Sequence, residues 1–588
     1  MVSSVSDPAT VALVSPARSA LADRTAWLAC AALLLVLPFQ RMAPALVLFG
    51  QALSNVEATL ALGLAAWTVA LLLARRRPPW TSPLTAPALA LLAVLIVSAL
   101  AAPTDRANAV KSVARFVAGL CVFVMTVNAA TTRGRVASLM TLAVSSGIVV
   151  GTIGLLERLE IDPVVVWLRQ FRDQRHFVGG QLRIASTLWY PTITAMYLEI
   201  VFALGLGLLV LAVDRKRRMT AAILFAGLLA IAEAIALTLT RAGLMTMGCS
   251  LLVAGGALWL RRGRAPATRA VAALAAAVVA AVAVTAPAQA LWLRLTSSGD
   301  EDWYRAEYRV PARLELGAGE LSTVGVTLRN AGRITWEGGG DAPFRLSYHW
   351  LNASGDRVVE YDGLRSPLPQ TIAPGESVTV RAGVKAPAWP GRYRLAWDVT
   401  QEGRLWFSVQ GAATVATDVT ITSNDAAASA PRDDTLLALP APKVRVGRLA
   451  LWRIAAVMIA ARPVVGVGFD NFRLLYGRYG HLPQADDRVH SNNMYIEHTV
   501  GAGLAGGAVF FWLLWRLVAS LWRIRPRLDD RIEPLYVGIA AAVAAILVHG
   551  LLDSFWTFTP TYLAIWITFG LATAVAALAA EEGHAHRV

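Results

Sequence analysis

The feature that most constrains this chain is a series of uninterrupted apolar runs, most of them about 18 to 22 residues long. A helix of that length crosses the hydrocarbon core of a bilayer. Charged residues make up only 16% of the 588 residues, whereas an ordinary soluble domain carries roughly 25%. So few charges cannot cover a water-facing surface of this size. The sequence therefore predicts a polytopic α-helical membrane protein.

The positions of the basic residues predict how the helices are oriented. Clusters of Lys and Arg follow alternate apolar runs, at 75–77, 133–135, 215–218, 261–264 and 523–527. Because Lys and Arg accumulate in short cytoplasmic loops, we expect about twelve spans in the inner (plasma) membrane with both termini in the cytoplasm. The expected spans are 26–39, 56–73, 84–102, 111–129, 137–156, 191–213, 220–239, 243–260, 269–291, 499–522, 535–552 and 561–580.

This orientation places four polar segments on the outer, periplasmic side, where a functional site is expected. They are the loop 157–190, the turn around Arg241, the segment 292–498 and the loop 553–560. The first apolar run is expected to remain as a helix, because no small-residue cleavage site marks it as a signal peptide.

The distribution of charge and of cysteine disfavours nucleic-acid binding and disulfide or zinc sites. The net charge of +15 is divided among short clusters between apolar runs, without the basic stripe on a soluble domain that nucleic-acid binding requires. The three cysteines lie inside apolar runs and have neither disulfide nor zinc spacing. They are Cys30, Cys121 and Cys249.

Residues 303–421 differ in character from the rest of the chain. Short alternating runs separated by Gly-, Pro- and Asn-rich turns predict an antiparallel all-β sandwich in the periplasm. The segment Asn330-Ala-Gly-Arg-Ile-Thr-Trp336 and the later Pro390-Gly-Arg-Tyr393 resemble tryptophan-rich, immunoglobulin-like domains. We expect the tryptophans to form the core, with sugar stacking as the alternative; they are Trp336, Trp350, Trp389, Trp397 and Trp406.

The resulting division of the chain has six parts. Residues 1–291 form the first nine helices with the loop 157–190, followed by a connector, 292–302, and the sandwich, 303–421. A flexible linker is expected at 422–444, a periplasmic helical catalytic loop at 445–498, and the last three transmembrane helices within 499–588.

The C-terminal third carries a series of motifs with a recognisable order. Gly447-Arg448-Leu-Ala-Leu-Trp452 precedes Arg462-Pro463-Val-Val-Gly466-Val-Gly468, and His490-Ser-Asn-Asn493-Met-Tyr-Ile-Glu497 follows. With Thr240-Arg241 and Arg183 upstream, this order resembles the O-antigen ligase and polymerase family, which includes protein O-oligosaccharyltransferases. The resemblance covers roughly 110–260 and 445–570 and excludes the sandwich. It implies a membrane fold of the glycosyltransferase-C type and an inverting, metal-independent transfer from a polyprenyl-diphosphate-linked glycan.

Arginine suits the charge that develops on a diphosphate leaving group, because its planar fork pairs two phosphate oxygens. Arg241 lies at a span boundary, where an unpaired charge is functional by default, and the alternative is that its side chain snorkels to the membrane interface. Arg448 is the second candidate; its alternative is an amphipathic surface helix with Leu449, Trp452, Ala456 and Ile459 on one face. The loop 157–190 has an excess of arginine on the outer side, which indicates an anionic ligand or lipid phosphates, and Arg183 alone matches a family position. The loop arginines are Arg158, Arg169, Arg172, Arg175 and Arg183.

His490 is the candidate general base, because neutral imidazole has a pKa near the working pH. It precedes a predicted helix that Ser491 or Asn492 would cap. Glu497 is expected on the face of His490, and Asp486 or Asp487 are alternatives for orienting the ring. Asn493 and Glu497 are predicted to bind substrate with Arg183, Arg241 and Arg448. His498 and His549, the latter with Asp553, are secondary candidates.

The predicted activity is therefore glycosyl transfer to an acceptor hydroxyl during surface polysaccharide assembly. No paired outer carboxylates have metal-ligand character, and we expect neither a metal nor a cofactor. The acceptor is left open among a lipid A–core sugar, another lipid-linked repeat and a protein hydroxyl, and the helices would contact membrane lipids. A lipid-linked oligosaccharide flippase or other transporter is the alternative from another class. It would require internal repeats and charged residues inside the spans. We find no repeat, and the spans carry few charges beyond Glu199 and Glu233. A non-catalytic scaffold presenting the sandwich is the third.

Overall fold

The computed structural model describes residues 16–48, 51–78, 81–178, 181–296, 302–340, 342–422, 436–438, 446–482 and 485–585. Within these ranges two stretches of helices flank a block of β-strands. The helices are α1 (Pro16–Val36), α2 (Asn55–Leu73), α3 (Thr85–Ala101), α4 (Arg106–Ala129), α5 (Arg133–Arg158), α6 (Asp162–Leu168), α7 (Pro191–Asp214), α8 (Arg218–Leu237), α9 (Arg241–Arg262), α10 (Pro266–Thr285), α11 (Ala288–Thr296), α12 (Arg448–Ala461), α13 (Phe472–Tyr479), α14 (Met494–Ile524), α15 (Glu533–His549) and α16 (Thr559–Ala585).

Nine helices in the described ranges are long and apolar enough to cross a membrane, and α3 and α15 are shorter apolar helices. The nine are α2, α4, α5, α7, α8, α9, α10, α14 and α16. A helix also coincides with each apolar span expected from the sequence. The predicted class, a polytopic helical membrane protein, is confirmed.

One expected span ends early. The run 269–291 was expected to be a single helix, but α10 ends at Thr285 and α11 begins at Ala288. Ala286 between them is extended, with φ −74° and ψ 134°, because the residue before a proline is disfavoured in the helical region. The short helix α11 therefore occupies part of the segment expected to be a connector, 292–302.

The ends of the membrane helices gather in two groups. At one end, here called the basic end, Glu533 binds Arg262 at 2.6 Å and Arg261 at 2.8 Å, and Asp529 lies 3.4 Å from Arg133. The opposite end, here called the loop end, carries the starts of α9, α12 and α14, and the segment before α14 accepts a hydrogen bond from Trp452 of α12. Arginines assigned to the cytoplasm by their sequence positions therefore lie together, at the end opposite the candidate catalytic residues.

The strands of the β block form two sheets. The strands are β5 (Ala306–Arg309), β6 (Arg313–Gly317), β7 (Leu321–Asn330), β8 (Phe344–Leu351), β9 (Arg357–Glu360), β10 (Ser366–Pro367), β11 (Ser377–Lys385), β12 (Gly391–Gln401), β13 (Leu405–Trp406), β14 (Val415–Thr422) and β15 (Leu437–Ala438). A three-stranded sheet has the order β11-β7-β5, and a larger one has the order β15-β9-β8-β12-β14-β6, with β10 on β8 and β13 on β12. Neighbouring strands are antiparallel except for β14 and β6, which are parallel. Short hairpins also occur at β1 (Leu46–Leu48) with β2 (Gln51–Leu53) and at β3 (His176–Val178) with β4 (Gln181–Arg183).

The inner faces of the two large sheets share one apolar core. Trp336, Trp350 and Trp397 are fully buried in it, whereas Trp389 and Trp406 are partly exposed. Three of the five tryptophans thus pack as core residues. Most of the expected linker, 422–444, lies outside the described residues; within it, Leu437–Ala438 pairs with β9.

The core of the β block continues into the membrane part of the chain. Its apolar cluster includes Val178 of β3, Leu239 of the turn before α9, and Leu293 of α11. The guanidinium of Arg404, between β12 and β13, lies 5.5 Å from the ring centre of Phe177. The block therefore rests on the β3–β4 hairpin and on the turn that leads into α9.

Candidate functional site

Arg183 and Arg241 are brought together by the β3–β4 hairpin and the turn before α9. Arg183 is only 5% exposed and donates from Nε to the Thr238 carbonyl at 2.9 Å and from Nη2 to Thr240 Oγ1 at 3.3 Å. Arg241, the first residue of α9, is half-buried, and none of the residues that the structure describes pairs with its guanidinium. Arg183 therefore holds the turn in place, and Arg241 is left with its donors unused.

Arg448 occupies an equivalent position at the start of α12. It is half-buried and likewise has no ion-pair or hydrogen-bond partner in the described part of the chain. Burial lowers the pKa of Arg448; the carboxylate of Asp553 opposes this change, and the nearby charge of Arg241 adds to it. Two unpaired arginines thus lie within electrostatic reach of each other.

The helix ends that carry these arginines add to the positive potential. Neither α9 nor α12 has a side chain that caps its N-terminus, so first-turn N–H groups remain available. The helix dipole also places partial positive charge at this end. Backbone donors, helix dipoles and two guanidinium groups together form an arrangement suited to a phosphate-bearing anion.

His490 lies between two carboxylates. Its Nδ1 is 3.5 Å from Glu497 Oε1 and 3.9 Å from Asp470 Oδ1, and the side chain is 11% exposed. Burial of the ring disfavours protonation, but Glu497, Asp470 and Asp553 outweigh it and raise the pKa of His490 above its usual value. With Nδ1 facing the carboxylates, Nε2 is the ring nitrogen available to a substrate.

The start of α14 explains the position of Glu497. Asn493 caps the helix by accepting from the N–H groups of Tyr495 and Ile496, so the expected caps Ser491 and Asn492 are displaced by one or two residues. The chain turns back before the cap, and Ser491 donates to Glu497 from its N–H at 3.0 Å and its hydroxyl at 2.6 Å. Glu497 therefore reaches His490 because the loop folds over the first turn, and not because both lie on one helix face.

Two residues predicted to bind substrate have partners within the protein. The amide oxygen of Asn493 caps the helix, and its Nδ2 donates to the Leu551 carbonyl at 3.0 Å. Glu497 is buried against Ser491 and His490. These contacts make Asn493 a support for the loop after α15 and Glu497 a support for the imidazole.

Asp470 was not among the residues singled out from the sequence. It follows the Gly466–Gly468 turn, which packs backbone to backbone against a break in α14 at Gly503. A Cβ on Gly503 would lie 2.1 Å from a carbonyl oxygen, and one on Gly466 would lie 2.5 Å from backbone atoms. Asp470 itself has φ +69°, a sparsely populated conformation for a residue other than glycine. The glycines allow the close approach that brings this carboxylate to His490.

Side-chain contacts join the segment containing Arg448 to the segment containing His490. The indole N–H of Trp452 on α12 donates to the Ser491 carbonyl at 3.0 Å. The buried face of α12 consists of Leu451, Ala455 and Met458. On the face given by the alternative interpretation, Trp452 and Ile459 are half-buried, whereas Leu449 and Ala456 are exposed.

The other candidates have different roles. Asp486 pairs with Arg488 at 2.9 Å, and Asp470 takes the place expected for Asp486 or Asp487 beside the imidazole. His498 stacks on Phe510 with ring centres 3.7 Å apart. His549 binds Glu199 at 2.7 Å within the helix bundle, so it does not join Asp553 at the site.

Internal partners account for much of the arginine excess in the loop 157–190. Arg172 binds the buried Glu157 at 2.5 Å, Arg175 binds Glu160 at 2.6 Å, and Arg158 donates to a glutamine. Glu157 in turn accepts the N–H groups of residues 185 and 186. Three of these charges therefore shape the loop, and Arg169 remains exposed.

The assembled site places a positively charged end near a histidine whose Nδ1 faces two carboxylates. Asp553 links them, since its charge acts on both Arg448 and His490. In the part of the chain that the structure describes, no group of three or more His, Cys, Asp or Glu is arranged to hold a metal ion. No known family model matches this chain, and no curated protein sequence matches it either.

Proposed function

We propose that this protein is a membrane glycosyltransferase that moves a glycan from a polyprenyl-diphosphate donor to an acceptor hydroxyl, in the manner of O-antigen ligases and polymerases. The observation that carries the proposal is a pair of half-buried arginines, Arg241 and Arg448, that have no partner among the described residues and lie near a histidine backed by carboxylates. A structural salt-bridge network would have provided acceptors for both guanidinium groups.

The proposed reaction is one displacement. The acceptor hydroxyl gives its proton to Nε2 of His490 as its oxygen bonds to the anomeric carbon of the donor sugar. The bond between that carbon and the diphosphate oxygen breaks, and polyprenyl diphosphate leaves with the electron pair. Arg241, Arg448 and the open helix N-termini stabilise the charge that develops on the diphosphate. Arg183 contributes by holding the turn that presents Arg241.

The carboxylates of Glu497 and Asp470, which face Nδ1 of His490, have two roles in this scheme. They fix the ring so that Nε2 faces the substrate, and they stabilise the imidazolium that forms during the transfer. The raised pKa of His490 also means that the ring must lose a proton before it acts as a base. The proposed enzyme should therefore gain activity as pH rises through that pKa.

The proposal is tested by reconstituting the protein in vesicles with a lipid-linked glycan donor and candidate acceptors. His490→Ala should lower the rate of transfer by about 10² to 10⁴, and Arg241→Ala should weaken donor use. Arg169→Ala is the matched control, because Arg169 is an exposed arginine of the outer loop. Transfer that survives both site substitutions at normal protein levels would refute the proposal. Movement of the donor across the bilayer without product would favour a flippase.

A further inference from the structure

Asp470 is a buried carboxylate that faces the candidate base but bonds to other residues. Its side chain is 2% exposed, and its Oδ1 lies 3.9 Å from Nδ1 of His490, beyond hydrogen-bonding distance. A carboxylate that gained only this contact on burial would lose more hydration than it recovers. Its position must therefore be set by the groups that do bond to it.

Arg473 supplies those bonds from the first turn of α13. Its Nε donates to Asp470 Oδ1 at 3.0 Å and its Nη2 donates to Asp470 Oδ2 at 3.2 Å, so one guanidinium group occupies both oxygens. Paired donors of this kind fix the direction of a carboxylate as well as its distance. The third nitrogen, Nη1, donates to the Asp487 carbonyl at 3.0 Å, which holds the guanidinium in place.

Helix α4 contributes the second support of Asp470. Asn108, in the first turn of α4, accepts from Nη2 of Arg473 at 3.1 Å and donates to the Asp470 carbonyl at 3.1 Å. Arg115 lies about two turns further along α4 and therefore on the same face. Its Nη1 is 3.7 Å from Asp470 Oδ2, close enough to act on the charge of the carboxylate without a hydrogen bond. Two guanidinium groups from different helices thus face one carboxylate.

The charges around His490 indicate what these contacts do. Three carboxylates favour the protonated ring: Glu497 from α14, Asp470 from the turn before α13, and Asp553 from the loop before α16. Arg448 lies near Asp553, so two of the three carboxylates have a cation close by. A general base works best when its pKa lies near the working pH. Each carboxylate that is offset by a cation therefore brings the imidazole closer to that condition.

We infer that Arg473 and Arg115 are positioning residues, which hold the Asp470 carboxylate back from the imidazole and offset its charge so that His490 can act as a base. This inference rests on the proposed function. Neither arginine touches substrate in this scheme, and both act through Asp470. Without them, Asp470 would be free to approach Nδ1 and form a direct ion pair, and the ring would keep its proton to higher pH.

The charge state of His490 can be followed without substrate, through exchange of its ring Cε1 hydrogen for deuterium in the purified protein. The rate of this exchange depends on protonation of the ring, and tandem mass spectrometry reads it for one histidine at a time. Arg473→Gln should move the midpoint of the pH dependence at His490 to higher pH. Arg473→Lys keeps the charge and should stay closer to the wild type. Arg478→Gln is the matched control, because it removes one charge from an exposed position of the same helix and should leave the midpoint unchanged.

Arg115→Gln is the second variant and decides the question if Arg473→Gln does not fold. The contact of Arg115 with Asp470 is longer than that of Arg473, so its removal should move the midpoint in the same direction by a smaller amount. An unchanged midpoint in Arg473→Gln, or in Arg115→Gln if only that variant folds, would overturn the inference. A midpoint that moves to lower pH would also overturn it, because the arginines would then serve to bring Asp470 towards the ring.

Transfer kinetics separate this inference from the proposed function. In Arg473→Gln the acidic limb of the pH profile should move to higher pH, with a several-fold lower rate on that limb and a plateau near the wild-type value. A lower plateau without movement of the limb would assign Arg473 a structural role, which would reject the inference and leave the glycosyltransferase proposal standing. Absence of any transfer by the wild type would reject the proposed function, even if the exchange midpoint of His490 still responds to Arg473.

Discussion

The carboxylate of Glu497 should determine the charge state of His490, and its removal is the most informative single change. The two side chains are 3.5 Å apart, and at an effective dielectric constant of about 20 unit charges at that distance attract by about 5 kcal/mol. This value is an upper bound on what Glu497 contributes to protonation of His490, because burial also costs both charged groups their hydration. Glu497→Gln should therefore lower the pKa of His490, while Asp470 and Asp553 continue to favour the protonated ring.

The direction of the effect on stability follows from the raised pKa of His490. Protonation of the ring stabilises the folded state, and this contribution is fully present below the ring's unfolded pKa of about 6.5. It is lost as pH rises through the higher folded pKa. The free energy of unfolding should thus fall over that interval in the wild type, and Glu497→Gln should reduce or abolish this dependence.

Transfer activity should respond to the same change. Because neutral imidazole is the base, the rise of the wild-type rate with pH should follow the folded pKa of His490, and in Glu497→Gln this rise should move to lower pH. The plateau should drop by about 10- to 100-fold, since the ring loses the partner that orients it.

The assay is the pH profile of glycan transfer in vesicles, with thermal unfolding in detergent alongside. Glu533→Gln is the matched control, because Glu533 is equally buried and binds two arginines at the basic end. It should lower stability without moving the pH profile. A profile that is identical in Glu497→Gln and wild type would refute the role assigned to the carboxylate and the assignment of His490 as the base.

Three further predictions concern the supports of the site. Gly503→Ala should destabilise the protein by several kcal/mol, because the residue has φ +70° and its Cβ would lie 2.1 Å from a carbonyl oxygen; Gly256→Ala, which meets no neighbour within 4 Å, should not lower the Tm. Phe177→Ala should weaken the contact between the β block and the hairpin that carries Arg183, and should lower the rate of glycan transfer a few-fold. The unfolding temperature is measured alongside the rate and shows whether the variant remains folded. His549→Ala should cost about 3 to 5 kcal/mol, because the buried Glu199 loses its imidazole partner and keeps the hydroxyl of Thr246. The double variant His549→Ala with Glu199→Gln should recover part of this loss, measured by urea unfolding.

The membrane class could be predicted because one physical quantity, the thickness of the bilayer, sets the length of every apolar run. The run 269–291 is the exception, and Pro287 is its local signal: a proline restricts the residue before it, so the helix ends at Thr285. The restriction that Pro287 places on Ala286 is by itself enough to predict the break between α10 and α11. The candidates Arg241, Arg448 and His490 can also be identified from the sequence, because charged residues near span ends and a histidine before a helix differ clearly from the apolar residues around them.

The partners of those residues were decided only by the tertiary structure. Asp470 lies in a glycine turn with no polar pattern around it, and it reaches His490 because Gly466 and Gly503 let two backbones touch. The sequence does not distinguish Arg172 of the loop 157–190, which pairs with Glu157, from Arg241 at the start of α9, whose guanidinium has no partner in the part of the chain that the structure describes. Composition and spacing determined that the chain has helices long and apolar enough to cross a membrane and that charged residues lie at the turns between them. Whether a given arginine pairs with a carboxylate depends on the distance between segments that are far apart in the chain, and only tertiary packing sets that distance.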